Sequence, residues 1–129
     1  MYLIISILFS IFTLNAESKE KIYFGRAHNY NAIYSYGVSE IYISSDSTMT
    51  RYDYRLPNKK EWKNYQNYEA KKEVQIISKK GKYYSLINPV NHLENEMHFV
   101  KITENRLIYY YRATDGSLIK GFIFKRKMN

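Results

Sequence analysis

Apolar and polar residues alternate through most of the chain, most clearly in Thr48–Leu56, TMTRYDYRL. Its even positions include Tyr52 and Tyr54, whereas its odd positions are Met, Arg, Asp and Arg. Successive side chains of a strand point to opposite faces, so this period of two indicates a half-buried strand. We predict an antiparallel strand whose tyrosine face lies inward and whose charged face lies in water.

Similar segments predict a meander of hairpins. Further strands are predicted at residues 22–27, 40–44, 73–78, 82–87 and 98–102, with residues 32–36 as either a strand or a loop. Ser45-Asp46-Ser47 has the composition of a tight turn. Gly81, in Lys79-Lys80-Gly81, supplies the positive φ that a tight hairpin needs.

One segment departs from this alternation. After Pro57, Asn58 is followed three residues later by Glu61, which is the pattern of a capping box. Trp62 and Tyr65 then fall on one face of a helix. We predict a short helix over residues 59–66, and a strand that carries Trp62 is the alternative.

Three consecutive tyrosines precede an Asp-Gly pair in the last predicted hairpin, LIYYYRATDGSLIKGFIFK. A two-residue turn at Asp115-Gly116 pairs Tyr109 with Phe122 on the inner face and places Tyr110 over Gly121 on the outer face. A three-residue turn places Tyr109 opposite Gly121 instead. A ring that covers a strand glycine shields bare backbone, so a structural role is predicted for this tyrosine.

The succession of hairpins, the short helix and the closing strand GFIFKRK resemble small exported bacterial lipocalin-like (calycin-type) proteins, over about residues 37–127. The resemblance implies an all-β fold, a meandering antiparallel up-and-down barrel or half-barrel with one short helix. It also implies an interior that can hold a small apolar ligand. Lipocalins carry Gly-x-Trp on the first strand, where this chain has Gly25-Arg26-Ala27, so a half-barrel and a sandwich stay open as alternatives.

The first sixteen residues contain no charged side chain. Their apolar run, residues 2–14, is shorter than the roughly 20 residues of a membrane-spanning helix and is followed by the small residue Ala16. We therefore predict a signal peptide over residues 1–16 and a single β-barrel-like domain over residues 17–129. The expected location is secreted or periplasmic, with no stable membrane span after cleavage, and an uncleaved anchor is the alternative.

The formal net charge is +8, and the chain contains no cysteine. Disulfides and thiolate metal sites are therefore excluded. A basic surface attracts anionic partners, although Lys, Asn, Ile, Tyr and Phe share AT-rich codons, so base composition is an alternative source of the charge. Because the basic residues are scattered over predicted hairpin tips and outer faces, we predict no nucleic-acid partner.

The sequence gives little sign of catalysis or of a cofactor. It contains neither a Gly-x-Ser-x-Gly elbow nor a phosphate-binding glycine loop. His92, Glu94, Glu96 and His98 have side chains that suit zinc or copper. They share a face only in an extended segment, and Pro89 indicates a loop there. We predict a protein that is not an enzyme and that has no metal and no cofactor.

The sequence-based hypothesis for function is non-catalytic binding of a small apolar or aromatic ligand in the barrel mouth. The predicted ligand-binding residues are Tyr52, Tyr54, Trp62, Tyr109 and Phe122. Because buried phenols need hydrogen-bond partners, their number predicts either a roomy, partly wet interior or a core with many local polar partners. The alternative is an interaction protein whose basic, tyrosine-rich face binds an anionic polymer or surface, or a protein partner.

Overall fold

The computed structural model describes residues 20–29 and 35–127, so the predicted signal peptide lies outside the described residues. Eight antiparallel strands follow one another around a closed barrel, and the last strand returns to pair with the first. The strands are β1 (Lys21–Asn29), β2 (Ser35–Ile43), β3 (Thr48–Leu56), β4 (Ala70–Lys80), β5 (Tyr83–Ile87), β6 (Glu94–Ile102), β7 (Arg106–Arg112) and β8 (Leu118–Arg126). The predicted all-β up-and-down barrel is confirmed, in its closed form.

One apolar cluster fills one end of the barrel interior. Each of the eight strands contributes one buried residue to it, namely Tyr23, Ile41, Met49, Ile77, Leu86, Val100, Leu107 and Phe124. A cluster that includes all eight strands can lie only inside the barrel, so it shows which face of each strand points inward. These residues lie toward the end of the barrel that carries the β2–β3 and β6–β7 turns.

A 3₁₀ helix, Lys59–Asn67, connects β3 to β4 and packs against the outside of the barrel. Its Tyr65 joins Val38 and Leu56 in a second buried cluster. The predicted helical segment is confirmed, although it is a 3₁₀ rather than an α-helix. The predicted capping box is wrong, because the side chain of Asn58 makes no capping hydrogen bond.

The bounds of β3 match the prediction, but its predicted orientation is wrong. Met49 belongs to the interior cluster, so Arg51 and Asp53 on the same face also point inward. Tyr54 instead packs against the outer cluster beneath the helix, and Tyr52 shares that outer face. The outer face of β3 is apolar because a helix covers it, which alternation alone does not reveal.

The β7–β8 hairpin changes register halfway along its length. Leu107 pairs with Phe124, as a two-residue turn predicts, but Tyr110 pairs with Lys120 nearer the turn. Tyr109 therefore lies opposite both Gly121 and Phe122, which is the arrangement of a β-bulge. Phe122, which the sequence placed on the inner face, is 65% exposed and does not belong to the interior cluster.

The tyrosines of this hairpin have packing roles. The backbone of Tyr109 lies against Gly121, since a Cβ atom on Gly121 would be 3.2 Å from the carbonyl oxygen of Tyr109. Tyr110 does not cover Gly121. Its ring instead packs edge-to-face on Tyr83 of β5, with 5.1 Å between ring centroids.

The turn between β7 and β8 has three residues rather than two. The amides of Ala113 and Gly116 close it by hydrogen bonds to the carbonyl oxygens of Ser117 and Ala113, respectively. Gly116 has a positive φ, at 87°. We expect Gly116→Val to lower the free energy of unfolding by about 1–3 kcal/mol, because a β-branched residue is strained there.

Urea unfolding checks this expectation. Apart from Gly116 and its two chain neighbours, no described residue has a heavy atom within 4 Å of the place of the new Cβ, so the cost comes from the backbone alone. Gly116→Asn should therefore cost much less, because asparagine tolerates positive φ. Equal losses for the valine and asparagine variants would contradict a conformational origin.

Candidate functional site

The structure does not bring the five predicted ligand-binding residues together. Tyr109 points into the barrel, whereas Tyr52 and Tyr54 lie on the outer face of β3. Trp62 is on the helix, and Phe122 is exposed on β8. Only Tyr54 and Trp62 belong to the same cluster, and that cluster lies outside the barrel.

Above the interior cluster, the barrel contains a charged network centred on Arg51. Its Nε donates to the two carboxylate oxygens of Asp53 at 2.9 and 3.1 Å, and the Ser39 hydroxyl donates to Asp53 at 2.5 Å. The guanidinium lies 5.2 Å from the ring centroid of Tyr109 and 5.3 Å from that of Phe124. Ion pairing and ring stacking therefore satisfy this inward charge.

The inward phenols also have local polar partners. The hydroxyl of Tyr23 donates to the carbonyl oxygen of Thr103 at 2.7 Å. Burial raises the pKa of Tyr109, and the adjacent Arg51 partly offsets that rise. Of the two interiors predicted from the sequence, this arrangement favours the one with local polar partners.

A groove on the outside of the barrel lies where β1 and β8 separate. The two strands pair only at Tyr23–Arg126 and Phe24–Lys125. The groove encloses about 550 Å³ and is lined by Phe24, Gly25, Arg26, Tyr65, Ile123, Lys125, Arg126 and Lys127. This lining contains four cations and, among the described residues, no carboxylate.

A second basic pocket adjoins this groove. It encloses about 390 Å³ and is lined by Arg26, Lys59, Lys60, Trp62 and Lys63. The Arg26 guanidinium lies 5.0 Å from the centroid of the Trp62 ring, and the Lys59 ammonium lies 5.8 Å from it. Because Arg26 lines both depressions, we treat them as one site, which we call the basic groove.

The cations of the basic groove differ in whether they are neutralised. Arg126 pairs with Glu104 at 3.3 Å, and Lys127 pairs with Glu40 at 3.4 Å. Within the described ranges, five groove cations have no carboxylate within 4 Å, and these are Arg26, Lys59, Lys60, Lys63 and Lys125. Among the described residues, the buried indole Nε1 of Trp62 also has no hydrogen-bond partner.

A buried carboxylate anchors one wall of the groove. Glu40 is 2% exposed and accepts hydrogen bonds from Tyr42 at 3.3 Å and Lys127 at 3.4 Å. Burial, and then the Glu40 charge, raise the pKa of Tyr42 to about 12. Burial alone lowers the pKa of Lys127, but hydrogen bonding to Tyr65 and the Glu40 charge outweigh it and raise that pKa.

A third depression, between β3 and β4, has no preferred sign of charge. It encloses about 660 Å³ and is lined by Asp53, Tyr54, Arg55, Glu69, Ala70 and Lys71. Two carboxylates and two cations therefore face it together. Of the depressions described here, the basic groove alone combines unpaired charge of one sign with aromatic walls.

The loop predicted around His92 is partly wrong, because β6 begins at Glu94. The Asn95 side chain accepts hydrogen bonds from the amides of Met97 and His98. Glu94 pairs with Lys80 at 2.7 Å, and this partner lowers the pKa of Glu94. Across the part of the chain that the structure describes, no three His, Asp or Glu side chains are placed to hold a metal ion.

Comparison of this chain with protein-family models, with curated proteins and with solved structures finds no match. No helix among the described residues has both the length and the hydropathy needed to cross a membrane. The groove residues come from β1, the helix and β8, which are far apart in the sequence. Closure of the barrel brings them together, and the only sequence signal for them is the overall positive charge.

Proposed function

We propose that this chain is a non-catalytic interaction protein that binds an anionic partner through the basic groove. The observation that carries the proposal is the set of five groove cations without carboxylate partners. Unpaired charges of one sign in a concave, low-dielectric surface focus the electric field and attract the opposite charge. Phe24, Tyr65 and Trp62 add aromatic surface that can pack against the bound partner. Export, with removal of residues 1–16, is part of the proposal.

Binding of a small apolar ligand inside the barrel has less support. Arg51, Asp53 and Ser39 place hydrogen-bonded polar groups above the interior cluster. An apolar ligand in that place would bury those groups without forming new hydrogen bonds, which is unfavourable. The dispersed positions of the predicted aromatic residues give such a ligand no common pocket.

A charge-reversal experiment with inorganic polyphosphate as the probe tests the proposal. We expect Lys63→Glu/Lys125→Glu to weaken polyphosphate binding by about tenfold or more, because both lysines line the basic groove. Affinity of the unmodified protein should also fall steeply from low to high salt. Fluorescence of Trp62, the only tryptophan, offers a local measurement of binding.

The matched control is Lys79→Glu/Lys82→Glu, which makes the same change in net charge. These exposed lysines flank the β4–β5 turn and do not line the groove. The control variant should keep most of the polyphosphate affinity of the unmodified protein. If both double variants lose affinity equally, the net charge of the molecule and not the groove is responsible, and the proposal is wrong.

A further inference from the structure

The seam between β1 and β8 leaves part of β8 without a neighbour on one side. The Lys127 amide donates to the Ile22 carbonyl oxygen at 2.7 Å, so by strand alternation the amides of Lys125 and Ile123 also point toward β1. The next pair in this ladder, Arg26 with Ile123, is not formed, because the strands separate after Phe24–Lys125. Among the described residues, the backbone of β8 from Ile123 back to its first residue therefore faces an open edge.

Apolar side chains are exposed along the same stretch of β8. Phe122 is 65% exposed and Ile123 is 41% exposed, and Leu118 and Ile119 are also exposed. Ile123 lines the basic groove together with Lys125. Exposed apolar residues on a strand with unpaired backbone groups are characteristic of an edge that pairs with another chain.

We propose that the seam accepts an extended acidic peptide segment of a partner protein, which pairs with the open edge of β8. This inference rests on the proposed function, because the carboxylates of the segment occupy the basic groove. In strand addition the backbone supplies the hydrogen bonds, while alternate side chains point to each face. One face of the added strand thus presents its carboxylates to Arg26 and Lys125, which line the two sides of the groove.

The charges of the hairpin favour an acidic segment over a second copy of this chain. Residues 106–126 contain five cations and one carboxylate, Asp115. Edge-to-edge pairing of two such hairpins would place like charges together, whereas an acidic strand complements them. A polyanion without a peptide backbone would leave both the open edge and the exposed Phe122 and Ile123 unused.

The first test compares two peptides of identical charge. One alternates valine and glutamate, and the other has the same sequence with N-methyl groups on alternate residues, which removes the backbone donors of one edge. The unmethylated peptide should bind the protein, and the peptide methylated along the pairing edge should bind about tenfold or more weakly. Polyphosphate, measured in parallel, reports on the groove charges alone.

The second test removes a donor from the protein. Ile123→Pro deletes the amide that points into the seam, and proline is tolerated at the edge of a sheet. We expect about tenfold weaker peptide binding for Ile123→Pro, whereas Ile123→Ala, which shortens the same side chain but keeps the amide, should stay within about threefold of the original peptide affinity. The peptide comparison does not depend on how well the proline variant folds.

Each outcome has a defined meaning. Equal binding of the methylated and unmethylated peptides, or polyphosphate binding with no peptide binding, overturns strand addition and leaves the proposed function standing. Concentration-dependent dimerisation that the peptide does not reverse assigns the open edge to a second copy and also overturns the inference. If the unmodified protein binds neither the peptide nor polyphosphate, the proposed function is overturned as well.

Discussion

Gly25→Val should lower the free energy of unfolding by about 3 kcal/mol, because it would overfill the interior of the barrel. A Cβ atom on Gly25 would overlap Cδ1 of the Phe124 ring and lie 2.8 Å from Cε1. The ring has little freedom to move away, since Phe124 is buried, Tyr109 packs on it edge-to-face and Arg51 lies above it. Urea unfolding followed by far-UV circular dichroism measures the change.

A double variant tests the cause of this loss. Phe124→Leu alone should destabilise the protein, because it removes buried ring atoms. The Gly25→Val/Phe124→Leu variant should lose less stability than the sum of the two single losses, because the smaller leucine side chain gives the valine room. Strictly additive losses would show that the Phe124 ring is not what opposes a side chain at residue 25.

Lys127→Met should lower the free energy of unfolding by about 2 kcal/mol. The change removes the one cation that, in the described part of the chain, pairs with the buried Glu40, and an unpaired buried charge is costly. We expect less than the about 3–5 kcal/mol found for fully buried pairs, because water still reaches Lys127. Methionine keeps most of the apolar length of the lysine side chain, so the lost charge dominates.

Two controls isolate this effect. Lys125→Met, two residues earlier in the chain, should change stability by less than about 0.5 kcal/mol, because the described residues offer Lys125 no carboxylate partner. Adding Glu40→Gln to Lys127→Met should recover part of the loss, because it removes the uncompensated charge. A double variant less stable than Lys127→Met alone would rule out this explanation.

Local sequence signals predicted the strands and turns well. The bounds of β3 and the positive φ values of Gly81 and Gly116 follow from alternation and from turn chemistry. Alternation did not show which face of each strand points into the barrel. Asp53, Tyr109 and Phe124 satisfy the charge of the inward Arg51; Asp53 is on the same strand, but Tyr109 and Phe124 come from β7 and β8.

Sequence patterns did not predict most of the candidate site. Tyr54 and Trp62, predicted as ligand-binding residues, are partly buried, but they pack on the outside of the barrel at the helix. The register shift opposite Tyr109, next to the exposed Phe122, is not encoded in the alternation. The basic groove depends on where β1 and β8 separate, a property of the closed barrel rather than of either strand.

The short contact between β1 and β8 also bears on how the chain folds. It joins residues about 100 positions apart, whereas every other strand pairs with its neighbour in the chain. Closing so long a loop costs the most chain entropy, and among the described residues the backbone ladder that joins these two strands has only two residue pairs and the flanking Lys127 amide. We therefore expect the seam to form last in folding and to open first in native-state fluctuations. The Lys127 amide, bonded to Ile22, should exchange its hydrogen with solvent sooner than amides in the middle of the β2–β3 ladder.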